Sequence, residues 1–269
     1  MKAAKSLIIL FVFVLLFVSA VPAGAISDGE LDGNGHPYVG LMVAQDAEGT
    51  PLWRCSGTLL SPTVFLTAGH CTESPAAHAE IWFAADVDAG RPGNGYPYDG
   101  EVGGDVYTHP DFNSATFYVH DVGVVVLDEP VVMAEYGVLP ALNQLDVLKT
   151  KRGQQDVTFT AVGYGMQKSF PDAASWKDQA LRVRMVANPR LLQINVPGFT
   201  GDYSLLLSNN AHTGGTCFGD SGGPNFLGSS NVVAGVTSFG VNGNCAGTGG
   251  VFRMDRQNVL DFVNFYLDQ

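Results

Sequence analysis

Short apolar or alternating runs, each bounded by Gly, Pro, Asn or Asp, recur along the chain and constrain its fold more than any other feature. They fall at 38–43, 57–60, 64–67, 79–83, 122–127, 157–162, 181–186 and 232–236. Runs this short, separated by turn residues, predict strands of an all-β sandwich or barrel. Segment 122–127 is almost continuously apolar, as a strand buried on both faces would be. Helical periodicity is clear only at the end, where Val259, Leu260, Phe262, Val263, Tyr266 and Leu267 recur at three and four with Asp255 expected as the N-cap. Segments 84–104 and 166–178 are expected as long loops. A chain of 269 residues with 33 glycines and 15% charged residues suits one large β domain or two small ones rich in turns.

The first residues read as a leader. Lys2 and Lys5 precede an apolar run from Leu7 to Val18, and small residues follow to Ala23-Gly24-Ala25. That order describes a signal peptide, and the run is shorter than the roughly 20 residues a spanning helix needs. The mature chain is therefore expected to be exported, soluble and free of the membrane. Losing the two lysines takes the formal charge from −12 to −14. A surface that acidic repels nucleic acid. Four cysteines in an exported chain imply two disulfides with three possible connectivities. Pairing Cys55 with Cys71 and Cys217 with Cys245 would close two modest loops, each worth about 3 kcal/mol. Neither C-x-x-C nor the H-x₃₋₅-H spacing of a zinc site occurs.

Three residues carry the chemistry. Ser221 stands in Gly219-Asp220-Ser221-Gly222-Gly223-Pro224. A serine becomes a nucleophile only when a base takes its proton and donors stabilise the oxyanion that follows. Flanking glycines let the backbone turn sharply, and the N–H groups of Gly219 and Ser221 are the expected donors. His70 ends the apolar stretch Leu66-Thr67-Ala68-Gly69-His70 beside Cys71, the setting of a positioned general base. Asp121 opens the run Val122-Gly123-Val124-Val125-Val126-Leu127, where a carboxylate is costly unless hydrogen-bonded. Orienting an imidazole N–H would satisfy it. His36, His78, His109 and His212 have no comparable setting, and His120 adjoins Asp121.

The order His70, Asp121, Ser221 and the three motifs around them resemble the chymotrypsin/trypsin-like serine protease family. The resemblance extends from about Ile26 to the C-terminal helix. It implies two six-stranded antiparallel β-barrels, one over about 26–140 and one over about 141–254, with a helix over about 255–269 and the active site between the barrels. It also implies that Ser238-Phe239-Gly240 pairs with substrate backbone while Ser238 supports Asp121. The base of the specificity pocket falls on Gly215, which carries no charge to select Lys or Arg. With Gly240 and Gly250 leaving the walls open, the pocket is expected to be neutral and roomy, favouring large apolar P1 residues. Phe218 and the short loop 245–250 could reshape it. Zymogens of this family are cut before an Ile-Val-Gly-Gly-like start, absent here. Cleavage after Ala25 would instead expose Ile26, whose α-amine would pair with Asp220, whereas cleavage after Ala23 would leave two residues in the way.

Two other readings compete. Gly219-Asp220-Ser221-Gly222-Gly223 also fits the G-x-S-x-G of α/β-hydrolase esterases, but that class needs a histidine after the serine and none follows Ser221. A non-catalytic homologue acting as a binding module would be expected to lack a triad member, and none is lacking. Asp86, Asp88, Asp99, Glu101 and Asp105 cluster in sequence and are read as solvated acids. A protein or peptide substrate, a monomer, no cofactor and no required metal complete the expectation.

Overall fold

The computed structural model describes residues 26–116, 118–150, 156–168 and 180–269. The segment 1–25, expected as a leader, and most of the second expected loop therefore lie outside the described residues. No helix among the described residues is long and apolar enough to cross a membrane.

The strands of the N-terminal half are β1 (Glu30–Leu31), β2 (Val39–Gln45), β3 (Pro51–Leu59), β4 (Val64–Thr67), β5 (His78–Trp82), β6 (Val102–Thr108) and β7 (Gly123–Leu127). Six of them close a barrel in the order β2-β3-β4-β7-β6-β5. Leu41, Phe65, Leu66, Trp82 and Val124, all fully buried, belong to the core packed on its wall. Each such side chain contributes roughly 1.5–3 kcal/mol by leaving water. Closure also leaves no edge strand exposed.

The C-terminal half comprises β8 (Phe159–Gly163), β9 (Met185–Ala187), β10 (Leu191–Val196), β11 (Gly201–Asn209), β12 (Pro224–Leu227), β13 (Val233–Gly240) and β14 (Gly247–Arg253). Here the structure differs from the expected second six-stranded barrel. The strands form one eight-stranded sheet, ordered β1-β9-β8-β12-β13-β14-β11-β10. The sheet curls until β10 meets β8 only through the bridge between Thr158 and Arg190. The N-terminal strand β1 joins this half through its pairing with β9. Phe159, Leu191, Ile194, Leu205 and Val251 form its core.

Arg184 ties the halves together. Only 1% exposed, it donates to Asp32 Oδ2 (2.9 Å), to the carbonyls of Val39 (3.1 Å), Phe83 (2.9 Å) and Gly33 (2.8 Å), and to the Tyr164 hydroxyl (3.1 Å). A buried guanidinium is tolerated when its N–H groups are satisfied in this way. Burial pushes the Asp32 carboxyl up, but hydrogen bonds from His36 and Arg184 prevail and hold it below the usual range.

Among the described residues two α-helices complete the fold, α1 (Gly69–Thr72) and α2 (Gln257–Leu267). α2 packs on β4 and β7 through Val259, Leu260 and Val263. Its N-cap is Arg256, not Asp255. The Asp255 carboxylate is instead buried, accepting from Arg253 Nε (3.0 Å) and Nη2 (2.8 Å) and from the Leu145 N–H (2.8 Å). A carboxylate held by a buried guanidinium is not available to cap the next turn.

Candidate active site

His70 and Asp121 meet because of strand register. β4 and β7 are antiparallel with Thr67 opposite Gly123, so the end of one strand lies beside the start of the other. His70 follows β4 in the single turn of α1, and Asp121 precedes β7. The Asp121 side chain is fully buried. Its Oδ1 accepts the His70 backbone N–H at 2.9 Å, and His70 Nδ1 lies 2.9 Å from Oδ2 and 3.1 Å from Oδ1. Ser238 Oγ donates to Oδ2 at 2.5 Å. Those donors offset the cost of burying the charge. Burial pulls the His70 pKa down, but the Asp121 charge and hydrogen bond outweigh it and leave the imidazole above its ordinary value. His120 stacks on His109 at 5.1 Å and meets Asn258 of α2 through Nδ1 at 2.9 Å, so it braces the loop before Asp121.

Ser221 is held by backbone on both sides. Its carbonyl accepts the Ser56 N–H of β3 at 2.8 Å, while the Gly222 N–H donates to Thr237 of β13 at 2.8 Å. Gly219 and Gly222 adopt φ of 96° and 78°, which L side chains rarely reach. A Cβ on Gly222 would also stand 2.0 Å from Thr67 Oγ1. The sharp turn needs glycine at that position. Cys217–Cys245 and Cys55–Cys71 are both bonded, with Cα atoms 5.3 and 6.3 Å apart, and they flank the loops bearing Ser221 and His70. His70 and Ser221 line one cleft of about 980 Å³.

Ser238, Phe239 and Gly240 line the same cleft, as do Thr216 and Phe218, but Gly215 and Gly250 do not. The ring of Phe239 lies on Gly250, where a Cβ would come within 2.4 Å of it. A Cβ on Gly215 would stand 2.3 Å from Cγ of Asn209, whose amide donates to the Thr216 carbonyl at 2.7 Å. These glycines make room for Phe239 and Asn209. Residues with no sequence signal, Trp53, Arg54, Tyr96, Met166 and Arg182, supply the rest of the wall.

Asp220 is fully buried behind the cleft, its oxygens accepting the Gly165 N–H at 2.7 Å and the Cys217 N–H at 2.9 Å. Burial pushes its pKa up to about 7, against the opposing pull of those bonds and of Arg54. Ile26 is also fully buried, packed with Ala161, Met185 and Ala187. The following residue, Ser27, bridges to Gly215. In the uncut chain the Ile26 nitrogen is an amide joined to Ala25. The acids of the first long loop serve local bonds. Asp88 pairs with Arg91 at 3.2 Å, Asp86 accepts the Ala89 N–H, and Glu101 accepts those of Phe83 and Ala84.

The family model described as Trypsin matches residues 31–263. The chain is 28% identical over 221 residues to the venom serine protease Bi-VSP of Bombus ignitus, covering 79% of this chain and 59% of that protein. It is 28% identical over 215 residues to brachyurin of Leptuca pugilator, covering 72% of this chain and 79% of that one. Among solved structures, a collagenase overlays with a TM-score of 0.69 at 19% identity, covering 90% of this chain and 99% of its own. Human heparin binding protein overlays at 0.62 and 17% identity, covering 88% and 94%.

Proposed function

Because the chain belongs to the trypsin family of serine proteases, we propose that it is a serine endopeptidase acting on protein or peptide substrates through an acyl-enzyme. The observation that carries this reading is the buried Asp121, bonded to His70 Nδ1 at the wall of the cleft that Ser221 shares. Ser221 Oγ attacks the scissile carbonyl as His70 takes its proton at Nε2. The same proton then passes to the departing amine, and water repeats the sequence to release the acid. Asp121 holds the imidazole by its Nδ1 and stabilises the imidazolium that forms. The N–H groups of Gly219 and Ser221 receive the oxyanion, and Ser238–Gly240 pairs with the acyl-side backbone.

The pocket beside Thr216 and Phe218 takes an uncharged, apolar P1 side chain. Met166, Phe218 and Phe239 on the wall support this preference. Export after removal of the leader and action as a monomer belong to the same reading.

Diisopropyl fluorophosphate is expected to phosphorylate Ser221 alone, located by peptide mass spectrometry. Folded protein left unlabelled after cleavage at Ile26 would sink the reading in favour of a binding module. The pH profile offers a second check. His70 must be neutral to accept a proton, and its pKa is raised. The acid limb of kcat/KM is therefore expected to fall away below a midpoint higher than about 6.5, the ordinary imidazole value.

A further inference from the structure

Two groups of residues lining the cleft differ in charge. Ser238, Phe239 and Gly240 form one, with Ser238 bonded to Asp121. Trp53, Arg54, Tyr96 and Arg182 belong to the other, with Arg54 against Gly219 and Arg182 on Tyr96. If the acyl half of a substrate lies along Ser238–Gly240, the departing half leaves past Arg54.

Three guanidinium groups gather around Tyr96. Arg91 and Arg182 lie 5.0 and 5.6 Å from its ring centroid, Arg182 Nε reaches the hydroxyl at 3.4 Å, and the Arg54 guanidinium interacts electrostatically with the same tyrosine. The acids nearby are already engaged. Asp88 pairs with Arg91 at 3.2 Å and only distantly with Arg182, at 3.9 Å. Asp220 is buried, with both oxygens on backbone amides. Among the described residues Arg54 makes no ion pair, and its guanidinium lies against the oxyanion segment, Nη2 standing 3.0 Å from where a Gly219 Cβ would be. This concentration of positive charge occurs in a chain of formal charge −12.

A half-buried guanidinium whose nearest acid, Asp220, is tied to backbone amides forgoes hydration, and its fork matches a carboxylate in two parallel hydrogen bonds. We infer that Arg54 and Arg182, bridged by Tyr96, form a carboxylate-binding subsite for the leaving-group half of the substrate. The carboxylate comes from an acidic side chain one or two residues after the scissile bond, or from a peptide end at that distance. The inference rests on the serine-peptidase reading and adds a substrate class to it.

The test uses internally quenched peptides that differ only at the second residue after the scissile bond, carrying Glu, Gln or Lys. A further pair ends at that residue as free acid or amide. For the native enzyme kcat/KM is expected to be about tenfold higher for Glu than for Gln, with Lys lowest. Preference for the free acid over the amide would assign the subsite to chain ends as well. Arg54→Gln and Arg182→Gln should each bring the Glu-to-Gln ratio towards one, and Arg54→Glu should invert the order. Raising salt from 0.05 to 0.5 M should shrink the native ratio, a readout that needs no variant to fold. Equal rates for Glu and Gln together with equal rates for acid and amide would overturn the inference while leaving the peptidase intact. Failure to cleave any peptide, with no fluorophosphate labelling, would overturn the peptidase reading instead.

Discussion

Replacing Ser221 with alanine is expected to lower kcat by roughly a million-fold, the cost of removing the nucleophile from a triad that acts as a unit. The fold should be unaffected. The contacts that hold this residue are made by its backbone carbonyl to Ser56, and its neighbours Gly222 and Gly223 bond Thr237 through backbone alone. Alanine keeps all of these. Asp121→Asn should cost less, about ten-thousand-fold, because the amide can still bond His70 but stabilises the wrong tautomer. Steady-state kinetics on material with a native unfolding midpoint would check both. A Ser221→Ala enzyme within a hundredfold of native would mean that another group performs the attack. The same outcome for Asp121→Asn would mean that the buried carboxylate is structural, its bonds to the His70 backbone and to Ser238 being its whole purpose.

The parts of this fold legible in the sequence were those whose pattern is local. The apolar run 122–127 became β7 and the periodic tail became α2. Strands that depend on neighbours were not visible. β14 contains three glycines, which weaken any strand signal, yet it pairs with β11 on one side and β13 on the other. β6 begins at Val102 within the segment read as a loop, because Gly103 and Gly104 mask its alternation. At the site, chain order identified His70, Asp121 and Ser221 as candidates, but His70 and Asp121 approach through the β4–β7 register and the Ser221 segment is held by backbone bonds to Ser56 and Thr237, none of which a local pattern encodes. Arg54, Tyr96 and Arg182 left no trace at all. Arg182 and Tyr96 are 86 positions apart, and neither lies in a motif. The neighbours of Gly215 and Gly250 were hidden for a related reason: the side chains of Asn209 and Phe239 that lie against them come from elsewhere in the chain.

Asp220 should respond to pH in opposite senses before and after the chain is cut at Ile26. In the uncut chain its pKa is raised to about 7, chiefly by burial, from an unfolded value of 3.8. The folded form then holds a proton that the unfolded form has lost, so stability is fully present below about pH 4 and declines as pH rises through about 7. The loss across that window is roughly 4 kcal/mol. Asp220→Asn should abolish it, leaving the uncut protein more stable at pH 8 than its parent. Urea unfolding of uncut Ser221→Ala protein, which cannot digest itself, would measure the slope with and without the second substitution. A flat profile in the parent would refute the argument. Cleavage reverses the sign. We propose that the new Ile26 amine forms an ion pair with Asp220; Ile26 packs on Ala161 of β8, and the Asp220 carboxylate bonds Gly165 just beyond the end of that strand. An ion pair there keeps the carboxylate charged and fixes the backbone from Gly219 to Ser221. In the cut enzyme Asp220→Asn should therefore lower kcat/KM by about 10²–10³, the cost of losing an aligned oxyanion donor. Protein whose sequenced N-terminus is Gly24 should show a loss of similar size, since two extra residues keep the amine from the buried carboxylate.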